Sequence, residues 1–136
     1  MKIAIAQRAL LLVAGAVGVG VGCGMLVTPV AFHATAGIAL GSDVNLLNEM
    51  RASGGAVLGA GALIFLGAFF AALRTTATIV AATLYLSYGA ARLVSMCVDG
   101  PPNAALLAVT ALEIAIGALC AFALFRWAAP MTRDGA

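Results

Sequence analysis

The sequence predicts an all-α integral membrane protein, an antiparallel bundle of four transmembrane helices. Two observations carry that expectation. Of the 136 residues, 64% are hydrophobic and only 9% are charged, where soluble domains carry roughly 25% charged residues. So few charges cannot cover a water-facing surface, and lipid is the solvent that suits such a chain. The apolar residues also fall into four segments, each near the ~20 residues a helix needs to cross a bilayer. The length is that of a single domain, residues 1–136.

The expected spans are 9–31, 50–73, 76–98 and 104–125. The first opens after Lys2 and Arg8, a start it shares with signal peptides. Its apolar run is longer than a signal core, and Gly20-Val21-Gly22 fits a lipoprotein cleavage site before Cys23 poorly, so it reads as a retained helix. Thr28 and Pro29 lie near its end. Residues 32–48 form the longest and most polar connection, holding His33, Asp43, Asn45 and Asn48. Arg74-Thr75-Thr76 makes a tight turn between spans two and three. Asp99-Gly100-Pro101-Pro102-Asn103 separates spans three and four, because two prolines and a glycine cannot continue a helix.

Charge sets the expected orientation. With four spans, Lys2, Arg8, Arg74, Arg126 and Arg133 share one side. Arg51 belongs to the other side, and Arg92 approaches that side from within the membrane. Lysine and arginine accumulate in short cytoplasmic segments, so both termini are expected in the cytoplasm. Trp127 beside Arg126 reads as an interfacial anchor.

Small residues suggest how the spans pack. The first carries Gly18, Gly20, Gly22 and Gly24, and the second carries Gly55 and Gly59. Glycines four apart share a helix face and let two backbones approach closely, which matters where lipid removes the hydrophobic drive to associate.

Two ionisable residues fall inside spans. Arg92 lies seven residues before Asp99 and Glu113 ten after Asn103, so they sit about 10 and 15 Å below the same boundary. Each alone would cost roughly 2.5–3.5 kcal/mol at a span centre, and an Arg92–Glu113 pair is geometrically natural. Such a pair can fix which helices meet. Alternatively it marks an outward-opening site, with Arg92 as anion anchor and Glu113 as proton acceptor. Tyr85, Tyr88, Arg92, Ser95 and Asp99 recur three or four apart as one polar stripe. Glu49 and Arg51 stand at the outer end of the second span as interfacial anchors, with Asp99 or the loop as partner for Arg51.

Other chemistry is sparse. His33, the only histidine, reads as an exposed loop residue, and one histidine alone makes a poor metal site. Cys23, Cys97 and Cys120 form an odd set without C-x-x-C spacing and read as small hydrophobes. The net charge of +2 and the lack of a basic cluster argue against nucleic acid as a partner. No nucleophile elbow or phosphate-binding loop is present, so the chain leans away from enzymes.

Asn48-Glu49-Met50-Arg51 followed by Gly54-Gly55 resembles the N-E-x-R-x-x-G-G motif of a small bacterial membrane family. Gly89-x-x-Arg92-x-x-Ser95-x-x-x-Asp99-Gly100-x-Pro102 and then Glu113 resembles that family's second half. The family is domain of unknown function 4345, and the resemblance runs from about Ala9 to Phe125. One departure is Ser53, where an aromatic residue would precede the paired glycines. The resemblance implies a four-span protein of the bacterial inner membrane and draws Glu49, Arg51, Arg92, Asp99 and Glu113 into one set. It implies no reaction. A more distant likeness to DoxX-type four-helix proteins implies quinone-linked or redox surroundings, by analogy of fold alone.

Three functions follow, in order. The first is an accessory or structural subunit packing, through its glycine faces, against other membrane subunits or copies of itself. The second is a binder of a lipid or quinone in an outward-facing pocket lined by Arg92, Glu113, Tyr85 and Tyr88. The third is a proton-coupled transporter. No cofactor is called for, although a bound lipid or quinone is compatible with the sequence.

Overall fold

A computed structural model of the chain describes the backbone of residues 2–128 and the side chains of residues 5–126. Arg133 and the side chains of Lys2 and Trp127, used above for orientation and anchoring, lie outside the described residues. The elements are α1 (Lys2–Val27), α2 (Pro29–Ala34), α3 (Val44–Gly67), a 3₁₀ turn (Ala71–Leu73), α4 (Arg74–Asp99) and α5 (Ala104–Ala128). Among the described residues there is no strand. Four segments are long and apolar enough to cross a membrane: Ile5–Val27, Val44–Gly67, Ala71–Asp99 and Ala104–Arg126.

The helix ends differ from the expected spans for local reasons. The first helix stops at Val27, because Thr28 leaves helical geometry at φ −129°, ψ 58°. Pro29 then starts the short helix α2 at a position where its missing N–H costs nothing. Helix α3 begins at Val44 rather than at 50, since Asp43 accepts the Leu46 N–H at 2.8 Å and caps it. It ends at Gly67 rather than at 73. A side chain at Gly67 would collide with Ala77 of α4, so the chain turns back where only glycine fits. At the other end Gly100, with φ 94°, releases α4 into the Pro101-Pro102 turn.

Packing follows the glycines, but only partly the expected ones. A side chain at Gly18 would meet the Gly61 backbone at 3.0 Å, and one at Gly15 would meet Phe65 at 2.5 Å. Gly22 lies against the Leu58 backbone, Gly24 against the Phe32 ring and Gly54 against Met25 and Leu26. Along this seam, residue numbers rise on α1 as they fall on α3. Helices α4 and α5 meet in the same sense, with Gly89 on Ile114 and Gly117 on Leu86. Gly20, Gly55 and Gly59 have nothing within 4 Å of where a side chain would begin. These three take no part in the contacts between the helices of one chain, where the face of α3 that meets α1 is the one carrying Gly54 and Gly61.

The buried core occupies one half of the molecule. Leu11, Ala14, Ile64, Ala77, Ala81 and Cys120 form its centre, near the turn that joins α3 to α4. Small side chains dominate there, so the helices close tightly. Gln7 of α1 donates to Thr78 of α4 at 3.3 Å, and Thr78 donates to the Arg74 carbonyl at 2.7 Å. Large apolar side chains such as Phe69, Leu119, Phe122 and Phe125 point outward, as suits a surface solvated by hydrocarbon.

Candidate ligand-binding cavity

The other half of the bundle is not closed. Helix α1 packs mainly on α3, and α4 on α5. Between these pairs, toward the α2 end, lies a partly enclosed cavity of about 480 Å³, within the usual range for small-molecule sites of roughly 300–1,000 Å³. Its walls come from α1 (Val17, Val21, Met25), from α4 (Leu84, Tyr85, Tyr88, Arg92) and from α5 (Val109, Leu112, Glu113). The roof comes from α2 and the segment after it, through Phe32, His33, Ala36 and Ile38.

Arg92 and Glu113 meet in this wall. Arg92 Nε donates to Glu113 Oε2 at 2.8 Å, with the two side chains 32% and 12% exposed. Two turns of helix before Asp99, the same Arg92 also borders a recess of about 100 Å³ with Ser95, Gly100 and Thr110. The pair uses one guanidinium nitrogen and one carboxylate oxygen, leaving further donors and an acceptor on the two groups.

The two tyrosines divide in role. Tyr85 is buried and donates its hydroxyl to the Ala14 carbonyl at 2.5 Å, tying α4 to α1. Its hydroxyl proton is thus engaged within the bundle, while the residue also lines the cavity. Tyr88, one turn nearer the roof, is half-buried and lines the same cavity.

His33 is where sequence reasoning missed a residue. It lies on α2, not in an open loop, and is half-buried in the cavity roof. Its Nδ1 is 2.8 Å from the Pro29 carbonyl oxygen. A carbonyl only accepts, so Nδ1 carries the proton, and Nε2 is the ring nitrogen this bond leaves open. The run Pro29 to His33, with a proline able to start a helix, was the available signal.

Asn103 holds the roof to the opposite helix pair. Its Oδ1 accepts the Leu106 N–H at 3.1 Å, capping α5, while its Nδ2 donates to the Ala36 carbonyl at 2.7 Å. One amide thus starts a helix and pins the segment that closes the cavity. Gly37, with φ 75°, follows Ala36 and leaves room for the approach.

The remaining polar residues singled out above lie elsewhere. Asp99 is exposed at the end of α4 and accepts the Ser95 hydroxyl at 3.0 Å. Arg51 is not served by Asp99: its guanidinium donates to the Leu26 and Val27 carbonyls, closing the last turn of α1. Glu49 is exposed on α3. Among the described residues no three His, Cys, Asp or Glu side chains gather as a metal site.

Fold and site together define a small four-helix membrane protein with an apolar cavity and a charge pair in its wall. The family model for domain of unknown function (DUF4345) matches residues 6–124, and the chain belongs to that family. No curated protein and no solved structure matches it.

Proposed function

We propose that this protein binds a membrane amphiphile, a lipid or a quinone, in the cavity between its two helix pairs. The observation that carries the reading is an apolar cavity of about 480 Å³ with the Arg92–Glu113 pair in its wall. An apolar pocket with a few convergent polar groups is the usual form of a small-molecule site. Charges held inside a membrane span are more often functional than ornamental.

The proposed setting is an antiparallel bundle in a bacterial inner membrane, with the cavity in the outer half and both termini in the cytoplasm. Support for antiparallel helices is the opposed register of α1 with α3 and of α4 with α5. Support for the orientation is Arg8, Arg74 and Arg126 at the end away from the cavity.

The test is extraction in a mild neutral detergent, followed by native mass spectrometry of the wild type and of the double variant Arg92→Leu, Glu113→Leu. Wild type is expected to carry a small molecule that the double variant loses. Equal retention by both would overturn the reading.

A second reading is an accessory subunit beside a larger membrane complex. It is favoured by Gly55 and Gly59, four apart on α3 with open space beyond them. Co-purification with larger subunits at fixed stoichiometry would support it, and a ligand-loaded protein that travels alone would oppose it.

A further inference from the structure

We infer that the ligand of this cavity is a neutral amphiphile with a hydroxyl-bearing head, rather than a phosphate, a carboxylate or an amine. The inference rests on the proposed binding function and concerns its head-group chemistry.

Charge comes first. Among the described residues, the carboxylate and guanidinium that line the cavity are Glu113 and Arg92, and they already neutralise each other at 2.8 Å. An anionic or cationic head would add a charge without a counterpart in surroundings of low dielectric, where an unpaired charge is costly. A neutral head adds none.

Hydrogen bonding narrows the choice. The pair leaves the two terminal nitrogens of Arg92 as donors and Oε1 of Glu113 as an acceptor. Across the cavity roof, His33 Nδ1 donates to the Pro29 carbonyl, which leaves Nε2 as the ring nitrogen open to a hydroxyl, itself able to donate or accept. Tyr88, which carries a hydroxyl, lines the same cavity. The wall therefore asks for a head that both donates and accepts. Ammonium heads only donate, while ionised phosphates and oxidised quinone carbonyls only accept. A hydroxyl does both.

Size fits one short portion of such a molecule. At about 30 Å³ for each water-sized group, 480 Å³ holds roughly 15 non-hydrogen groups. That is a small head and the first part of one hydrocarbon chain, with the rest left in the lipid. Two sources share this chemistry, an acylglycerol and the reduced, dihydroxy form of a quinone.

The experiment is a native mass spectrometry titration of the detergent-purified full chain, stripped of bound lipid. The probes are monododecanoylglycerol, dodecyl phosphate, dodecylammonium, and a decyl benzoquinol beside its oxidised quinone. A hydroxyl probe is expected to bind at least tenfold more tightly than either charged probe. Preference for monododecanoylglycerol would identify an acylglycerol source, and preference for the quinol over its quinone would identify the other. His33→Phe, which keeps a ring but removes Nε2, should weaken the hydroxyl probe about fivefold or more, and His33→Gln should recover part of the loss. Charged probes binding as tightly as hydroxyl probes, or an unchanged His33→Phe, would overturn the head-group inference and leave the cavity reading standing. Binding of no probe at all would overturn both.

Discussion

Arg92 and Glu113 are worth most to each other. Removing Arg92 alone leaves the Glu113 carboxylate, 12% exposed, inside the bundle without its partner. Arg92→Leu is expected to cost roughly 2.5–3.5 kcal/mol. The double change to leucine should return to within about 1 kcal/mol of wild type, because apolar residues replace a buried pair at little net cost. Thermal unfolding of the three proteins in detergent checks this, and a double variant no more stable than Arg92→Leu would refute it. The tyrosines give a second contrast. Tyr85→Phe removes the hydroxyl bond to Ala14 and should cost about 0.5–1.5 kcal/mol without changing ligand retention. Tyr88→Phe should do the reverse, leaving the melting temperature nearly unchanged and lowering retention.

At the scale of elements, the seam between α1 and α3 is set by which glycines face inward. A methyl group at Gly61 would come within 2.6 Å of the Gly18 and Val19 backbones, whereas one at Gly59 meets nothing within 4 Å. Gly61→Ala should therefore lose about 1–3 kcal/mol through overpacking. Gly59→Ala should gain about 0.5–1 kcal/mol from helix propensity. Equal melting temperatures for the two variants would mean that the seam is wrong. The glycine spacing was legible in the sequence, but α3 offers two faces, one with Gly55 and Gly59 and another with Gly54 and Gly61. Spacing alone does not choose between them, since the choice depends on which face α1 meets. The roof offers another test. Asn103→Asp keeps an oxygen to cap α5 but loses the donor to Ala36. Retention should fall while the melting temperature stays close to wild type. Loss of both together would show that this contact serves folding rather than closure of the cavity.

For the whole molecule, the four membrane-crossing helices were legible because hydropathy is a local property summed along the chain. Arg92 and Glu113 stood out for the same reason, as charges inside apolar runs. The cavity was not legible, since its wall draws on α1, α4 and α5 and its roof on α2. No window of sequence contains that arrangement. His33 was misplaced for a related reason: a six-residue helix carries too little periodicity to separate it from a loop. Asn103 read as a turn residue, and its second bond crosses to Ala36, sixty-seven positions away.

The cavity's role is tested most directly by filling it. Val21 of α1 lines the cavity and is only partly buried, so Val21→Trp places an indole where a ligand would lie and leaves both charges intact. Native mass spectrometry of the wild type and this variant from the same membranes is the measurement. A retained small molecule on the wild type and none on the variant, at similar melting temperatures, is the result expected of a binding protein. The same adduct on both, or an adduct on neither, would contradict that role.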